Sequence, residues 1–485
     1  MTIAGTLSSA LSGLTAAAKA AELVSSNIAN ATTPGYARRE LQLTSRTVGT
    51  TGQGVQIVGV TRVVDQPLLN DRRLAQSEQG SADTRTAFYA RIQMLMGTPD
   101  DPNSLNGRVA ALNSSLTQAV AHPESEPLLS SIATAATGLI SSIAAIGKEV
   151  QAARTSADTE IGSEVAQLNS ALDKASKLNV QIRKGFGQGQ DTSALQDQRQ
   201  QVIDQIAKIV PLREIQQTDG SVSLYTTSGG VLLDGVPSVF GFATSSSVGP
   251  QMTLQSGGLS GLTLNGVATP TSGDSSVIQG GSLAANFAVR DDIAVKAQAQ
   301  IDGVARDLVE RFQASSVDTT RAPGDAGLFT DAGAAFDPAN EVGLAQRLKL
   351  NAAVDPNQGG VLWKLRDGLG ATAPGPVGNA ALITDLGSAL TADRSPVSGG
   401  FMAGQRSFSV LASDLLSITA TAKLSAQGES TYATTRLDTF TSMEAQGGVD
   451  TDHEMQSLLQ IEQSYAANAK VITAVNQMMQ TLMDI

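Results

Sequence analysis

Residues that could do chemistry are scarce in this chain, and those present sit where structure explains them better than catalysis. There are two histidines and no cysteine, which excludes thiol nucleophiles, disulfides and thiolate metal sites. His122 stands in Ala-His-Pro-Glu, and His453 in Asp450-Thr451-Asp452-His453-Glu454. The second run offers metal-ligand types, but five consecutive residues cannot all converge on one ion. Thr451 with Glu454 fits a capping box instead, and the acidic residues suit the positive end of a following helix. Gly185-Phe186-Gly187-Gln188-Gly189 lacks the lysine and hydroxyl of a phosphate loop and no strand precedes it, so it reads as a turn between helices. Asp291-Asp292 supplies carboxylates of the kind a glycosidase pairs, yet adjacent helical positions face different ways. No catalytic, cofactor-binding or metal-binding residue is assigned, and the chain reads as a non-enzyme without a cofactor.

What remains is a pattern for assembly. Leu7, Leu11, Leu14, Ala18, Ala21, Ser25 and Ile28 follow alternating steps of four and three, the spacing of a coiled-coil seam. Leu458, Ile461, Tyr465, Asn468, Ile472, Val475, Met479 and Leu482 follow steps of three and four in a stretch free of proline and glycine. A narrow apolar stripe needs a partner, so the two ends are expected to pair with each other or with other subunits. Asn468 inside the second seam would fix its register.

The elements between are read from period and breakers. The first helix ends near Asn30, before Pro34 and Gly35. Residues 40–64 alternate around Gly49, Gly52 and Gly54 and predict an extended segment or loose hairpin. Helical period returns from Pro67 to Met96. It continues from Leu128 to Ile182 as one long helix or a broken pair, and again from Asp191 to Ile209. From Pro211 to Gly281 short runs separated by Asp219-Gly220, Gly229-Gly230 and Asp234-Gly235 predict antiparallel strands. Leu283 to Ser315 and Phe401 to Met443 read as helices. Residues 317–400, rich in Gly, Pro, Ala and Asp, read as a loop-rich lobe with Trp363, the only tryptophan, as its core anchor.

The fold class is therefore mainly α with a β-rich middle (α+β), in elongated nested domains. Residues 1–35 with 450–485 form a terminal coiled-coil domain. Residues 36–316 with 401–449 form an elongated helical bundle with a β-rich section near 211–282, and 317–400 form an inserted outer lobe. Aromatics at 4% and charged residues at 16% imply cores of small aliphatics. A net charge of −12 argues against a nucleic-acid groove or an anionic membrane surface. No window approaches the roughly 18 apolar residues of a membrane span, and the N-terminus lacks a signal-peptide pattern, so the chain is expected to be soluble and, if it leaves the cell, to do so without a cleaved signal peptide.

Ser26-Asn27-Ile28-Ala29-Asn30-Ala31-Thr32-Thr33-Pro34-Gly35-Tyr36 resembles the signature of the rod, hook and hook-associated axial proteins of bacterial flagella. Ala37-Arg38-Arg39, the run from Gly52 to Arg62, and Asp65-Gln66-Pro67-Leu68-Leu69 resemble the hook-associated branch of that family. Gly448-Val449-Asp450, Glu454-Met455, Leu458-Leu459, Gln463-Ser464-Tyr465 and Ala467-Asn468-Ala469 resemble its end motif. The resemblance implies a structural protein secreted by flagellar type III export and placed at the hook–filament junction. It implies as partners copies of itself in a ring or helical tier, the hook protein, a second junction protein, and an export chaperone at the C-terminal helix. It marks Asn27, Asn30, Pro34, Gly35 and Tyr36, beside the two seams, as interface residues. An exported rod-type protein or a cell-wall hydrolase with an axial N-terminus is the alternative; the hydrolase needs a carboxylate pair across a cleft.

Overall fold

Both ends of the chain meet in one packing unit, and everything between is threaded out from it and back. The computed structural model describes residues 3–48 and 51–484, so Gly49, expected near the hairpin turn, falls outside. The terminal unit consists of α1 (Ile3–Ala29), the antiparallel hairpin β1 (Arg39–Val48) and β2 (Thr51–Arg62), and α12 (Thr451–Met483). The body contains α2 (Gln66–Met96), α3 (Leu105–Ala121), α4 (Glu126–Gly187), α5 (Ser193–Ile209), α6 (Gly281–Ala288), α7 (Ala294–Gln313), the short α8 (Leu344–Arg347), α9 (Lys364–Asp367) and α10 (Ala381–Thr391), and α11 (Phe408–Gln446).

Local chemistry sets these boundaries. Asp65 accepts from the Leu68 N–H and Pro67 occupies the first turn of α2, where its missing N–H costs nothing. Helix α3 escapes the sequence reading, although Ser104 caps it through the Gly107 N–H at 3.0 Å and Leu105, Val109, Leu112, Leu116 and Ala119 give it a buried stripe. Helix α4 runs unbroken for 62 residues, about 93 Å at 1.5 Å per residue. One 18-residue window in it has a mean hydropathy of 1.6, apolar and long enough to cross a bilayer by composition alone. This corrects the reading that no window comes close: Ile, Leu and Ala raise the average and the outer face carries Ser and Thr rather than charges to lower it, while the Ile and Leu residues pack into the core.

The β section forms as expected, as a four-stranded sheet of β3 (Leu212–Gln216), β4 (Val222–Thr226), β5 (Val231–Asp234) and β6 (Val236–Pro237), and a three-stranded sheet of β7 (Phe240–Gly241), β8 (Leu262–Leu264) and β9 (Val267–Thr269). Both are antiparallel. They cover the lower half of α4 and α5 around Ile161, Leu168, Leu172, Ile203, Leu224 and Leu233. The helix expected from Leu283 is broken by a π turn at Val289–Ile293, which carries Arg290 to Asp158 at 2.7 Å, both side chains fully buried. Such a turn persists only when a specific contact holds it.

Residues 317–400 are irregular, with one short pair of strands, β10 (Phe329–Asp331) and β11 (Leu348–Leu350), but they are not peripheral. Phe329, Leu344, Leu348, Ile383 and Leu386 share one continuous core with α3, α4, α7 and α11. Trp363 is only half-buried; Phe329, edge-on to Phe312 with ring centroids 4.9 Å apart, is the anchor instead. Helix α11 begins at Phe408 rather than Phe401, capped by Ser407 through the Val410 N–H.

Because that core is shared, Phe329→Ala is expected to cost about 3–5 kcal/mol and to lower the stability of the helical body as a whole. Chemical denaturation followed by circular dichroism checks this: one transition shifted to lower denaturant supports a common core, and a separate small early transition opposes it.

Candidate assembly site

Helices α1 and α12 pack antiparallel, Asn27 lying beside Glu454 at one end and Gly13 beside Asn468 further along. The contact is close because α1 presents small residues. Ala10, Ala16 and Ala17 are buried, and a Cβ on Gly13 would come within 2.9 Å of the Asn468 amide. Asn468 donates to its own helix at the Ser464 carbonyl, 3.0 Å away, so it sets spacing against Gly13 and makes no cross-helix hydrogen bond.

The first seam is displaced from where its leucines suggest. The buried stripe of α1 is Ala10, Ala16, Ala17, Leu23, Val24 and Asn27, whereas Leu11 is 57% exposed, Ala18 and Ser25 are exposed, and Leu7, Leu14, Ala21 and Ile28 are half-buried. The reason is the hairpin. With β2 docked along α1, the Val55 N–H donating to Ser12 at 3.1 Å, small residues must face both neighbours and the larger ones turn outward. The second seam holds better. Val475 is buried, Leu458, Ile461, Asn468 and Ile472 are half-buried, and Tyr465, Met479 and Leu482 are exposed. Together with Met455, Leu459, Met478 and Met483, they leave α12 with an apolar surface that none of the described residues covers.

The signature after α1 builds a polar node rather than an outer surface. Asn27, 1% exposed, donates through Nδ2 to the Arg39 carbonyl at 3.0 Å and to Glu454 Oε2 at 3.1 Å. Its Oδ1 accepts from the Arg39 N–H at 3.0 Å and from the Tyr36 hydroxyl at 2.8 Å. Every hydrogen-bonding position of the amide is filled, and α1, the hairpin and α12 are tied through it. Arg38 adds an ion pair to Glu454 at 3.4 Å. The helix cap of α12 is thus not the Thr451–Glu454 box: Asp450 accepts from the Asp452 and His453 N–H groups, and Glu454 is committed to Asn27 and Arg38. Asn30 turns back to the Ser26 carbonyl. Gly35, at φ +77°, makes the turn that lets Pro34 offer its carbonyl to Gln201 at 2.7 Å.

A second node joins this unit to the body. Asp197 on α5 accepts from Arg39 at 2.7 Å and Arg62 at 2.8 Å, and the Arg39 guanidinium lies 4.8 Å from the Tyr36 ring centroid. Burial pulls Arg62 below its ordinary pKa, with Asp197 opposing. One step further along, Arg73 works against burial but is held above its ordinary value by Asp204 and Glu214, while Arg72 bridges Asp204 and Glu444 of α11, each at 2.7 Å. Burial raises the Glu444 carboxyl, against the pull of Arg72. Arg199, whose hydrogen bonds go to Asn179 and the Gly220 carbonyl, is pushed down to about 10 by burial. The sequence reading missed all of these arginines as positioning residues except where they stand in the motif.

The residues screened for chemistry take structural roles. Asp291 pairs with Arg290 and Asp292 with Lys296; His122 is exposed beside Glu124, and His453 is exposed. Among the described residues, no group of three or more His, Cys, Asp or Glu side chains is placed to hold a metal.

Three family descriptions match this chain. Residues 7–36 match the flagella basal body rod protein, 444–485 the C-terminal part of the flagellar basal body rod FlgEFG proteins, and 89–328 the helical domain of the flagellar hook-associated protein FlgK. The paired ends thus define an axial protein of the bacterial flagellum. Within that class the chain belongs to the FlgK hook-associated protein family. Flagellar hook-associated protein 1 of Salmonella typhimurium is 31% identical over 251 residues, half of this chain and 45% of that protein. The chain thus spans less than half the length of that relative. The Escherichia coli protein of the same name is 25% identical across 99% of both chains. The solved structure of the flagellar hook junction protein FlgK from Burkholderia pseudomallei superposes with a TM-score of 0.44 at 20% identity, covering 54% of this chain and 46% of that one.

Replacing Asn27 by Ala removes the partner of Glu454 Oε2 and of the Arg39 N–H while Arg38 stays on Glu454 Oε1, an expected loss of about 2–4 kcal/mol concentrated in the docking of α12. Amide exchange should speed up across 451–475 and leave α4 unchanged. Equal protection of α12 in the variant would rule the node out as its anchor.

Proposed function

We infer that this chain is the structural adaptor of the hook–filament junction, assembling through its terminal unit into a ring or short helical tier outside the cell. The observation that carries the reading is the uncovered apolar surface of the terminal unit. Leu11 on α1 and Leu459, Tyr465, Met478, Leu482 and Met483 on α12 face outward from a pair whose in-chain contact is already complete. Exposed apolar side chains along a paired helix mark a further interface, and repeated heterologous contacts around an axis close a tier. Hook protein on one side and a second junction protein on the other are the partners this reading requires. An export chaperone would cover the same α12 face before assembly, since that face exposes Leu459, Met478, Leu482 and Met483. The role is mechanical: the nodes at Asn27 and Asp197 pass load from the tier's inner layer to the body.

Leu11→Asp and Leu482→Asp place charge on this surface without entering the fold, so the purified variants should keep the wild-type unfolding curve. In a motile strain carrying either as its only copy, hooks should form while filament subunits are shed into the medium. Wild-type swimming by both variants would remove the terminal surface from the mechanism.

A further inference from the structure

The body carries two surfaces whose charges match in order and spacing. Along one edge of α4, Ala157, Glu160, Glu164, Gln167, Ala171 and Lys174 recur at steps of three and four. They border an open furrow of about 310 Å³ against α2 and one of about 500 Å³ against α5. Above, Glu160 and Glu164 of α4 face Arg91 of α2 across the furrow, two carboxylates to one guanidinium, and below it is basic, where Lys174 and Lys208 line the same cavity. On α11, Leu424, Gln427, Thr431 and Asp438 are exposed along one side, Thr434 between the last two being turned to Gln79 of α2. Leu424 is 68% exposed, and Lys423 stands beside it. Glu160, Lys174, Lys208, Lys423 and Asp438 have no ion-pair partner among the described residues.

Direction also agrees. Helix α2 runs antiparallel to α11, pairing Glu78 with Arg436 and Arg85 with Glu429. It runs parallel to α5, with Arg73 on Asp204 and Gly80 beside the Lys208 carbonyl. Helix α5 is antiparallel to α4, Arg199 meeting Asn179 while Lys208 shares a cavity with Lys174. Hence α4 and α11 point the same way, Lys423 lies near the level of Arg91 above Glu160, and Asp438 lies within about a turn of Lys174. Glu160 and Lys174 are about 21 Å apart along their helix, and Lys423 and Asp438 about 22 Å along theirs.

We propose that α11 of a second copy docks in the α4 furrow, parallel to α4, with Lys423 against Glu160 and Glu164 and Asp438 against Lys174 and Lys208. The occupant is a second copy because the complementary charges sit on this chain in the same direction and at nearly the same spacing, so a sideways displacement with a short axial shift brings them together. The contact is heterologous, using one face of each copy, as a closed or helical tier needs. It rests on the junction reading above and specifies which faces of the body meet.

The chain has no cysteine, which makes the register testable. A strain whose only copy carries T431C and Q167C is oxidised, and its isolated hook–filament structures are analysed by non-reducing electrophoresis and by immunogold labelling. A ladder at multiples of the chain's own mass is expected. Label at the junction without a ladder, or a cross-link to a different protein, overturns the docking while leaving the junction reading intact. Absence of wild-type label from the junction overturns both. Should the cysteine pair prevent assembly, K423E and K423E/E160K decide. The single change is expected to lower incorporation about tenfold by setting like charges face to face, and the swap to restore it. Equal incorporation in both variants and wild type overturns the proposal.

Discussion

Asn27 fills all four of its hydrogen-bonding positions inside the structure, and the arrangement of the chain ends depends on its doing so. Two of its bonds hold the hairpin strand at Arg39, one holds Tyr36 and one holds Glu454 on the far helix. A buried amide with any position empty would cost more than an apolar residue in its place. The node therefore tolerates one geometry only. That geometry sets where the hairpin leaves α1, where α12 begins, and which side of α1 is left for the hairpin to cover. The displaced seam follows from it, because a helix covered on two sides must put small residues inward.

Charge continues the same line of control into the body. Asp197, Asp204, Glu214 and Glu444 meet Arg39, Arg62, Arg72 and Arg73 in sequence from the terminal unit to α11. Removing one member of such a set leaves a buried charge uncompensated, whereas the intact set adds little net stability. Its contribution is to orientation. A chain poor in aromatics has few bulky anchors with which to fix an angle between two units, and paired guanidinium and carboxylate groups supply directional contacts instead.

Much of the fold was legible in the sequence. The end of α1 before Pro34, the hairpin, the long α4, the turn-punctuated strands and the terminal pair follow from period and breakers. What was not legible has physical causes. Helix α3 lies close behind the proline and glycine of the segment after α2. The core role of residues 328–390 depends on partners far away in sequence, so local texture, rich in glycine and proline, suggested a periphery. The heptad spacing of α1 suggested one stripe and the structure buries another, Ala10, Ala16, Ala17, Leu23, Val24 and Asn27, because spacing does not say which neighbours a helix faces. In the site, Tyr36, Asn27 and Glu454 could be marked from the motif, while Asp197 and Asp204 sit on α5 with no local sign of their partners.

The bond from Asn27 to Glu454 spans 427 positions, and that distance orders events in time. Loop closure over such a length adds only slowly to the entropic cost, but it cannot happen before both ends exist in the same place. Whichever end of the chain becomes available first, the body between them can collapse around its own core beforehand, and the terminal unit is completed last. A truncated chain would therefore carry a finished body and no finished coupling unit. Completion of the two-ended unit thus requires the segments around Asn27 and Glu454 to be present together.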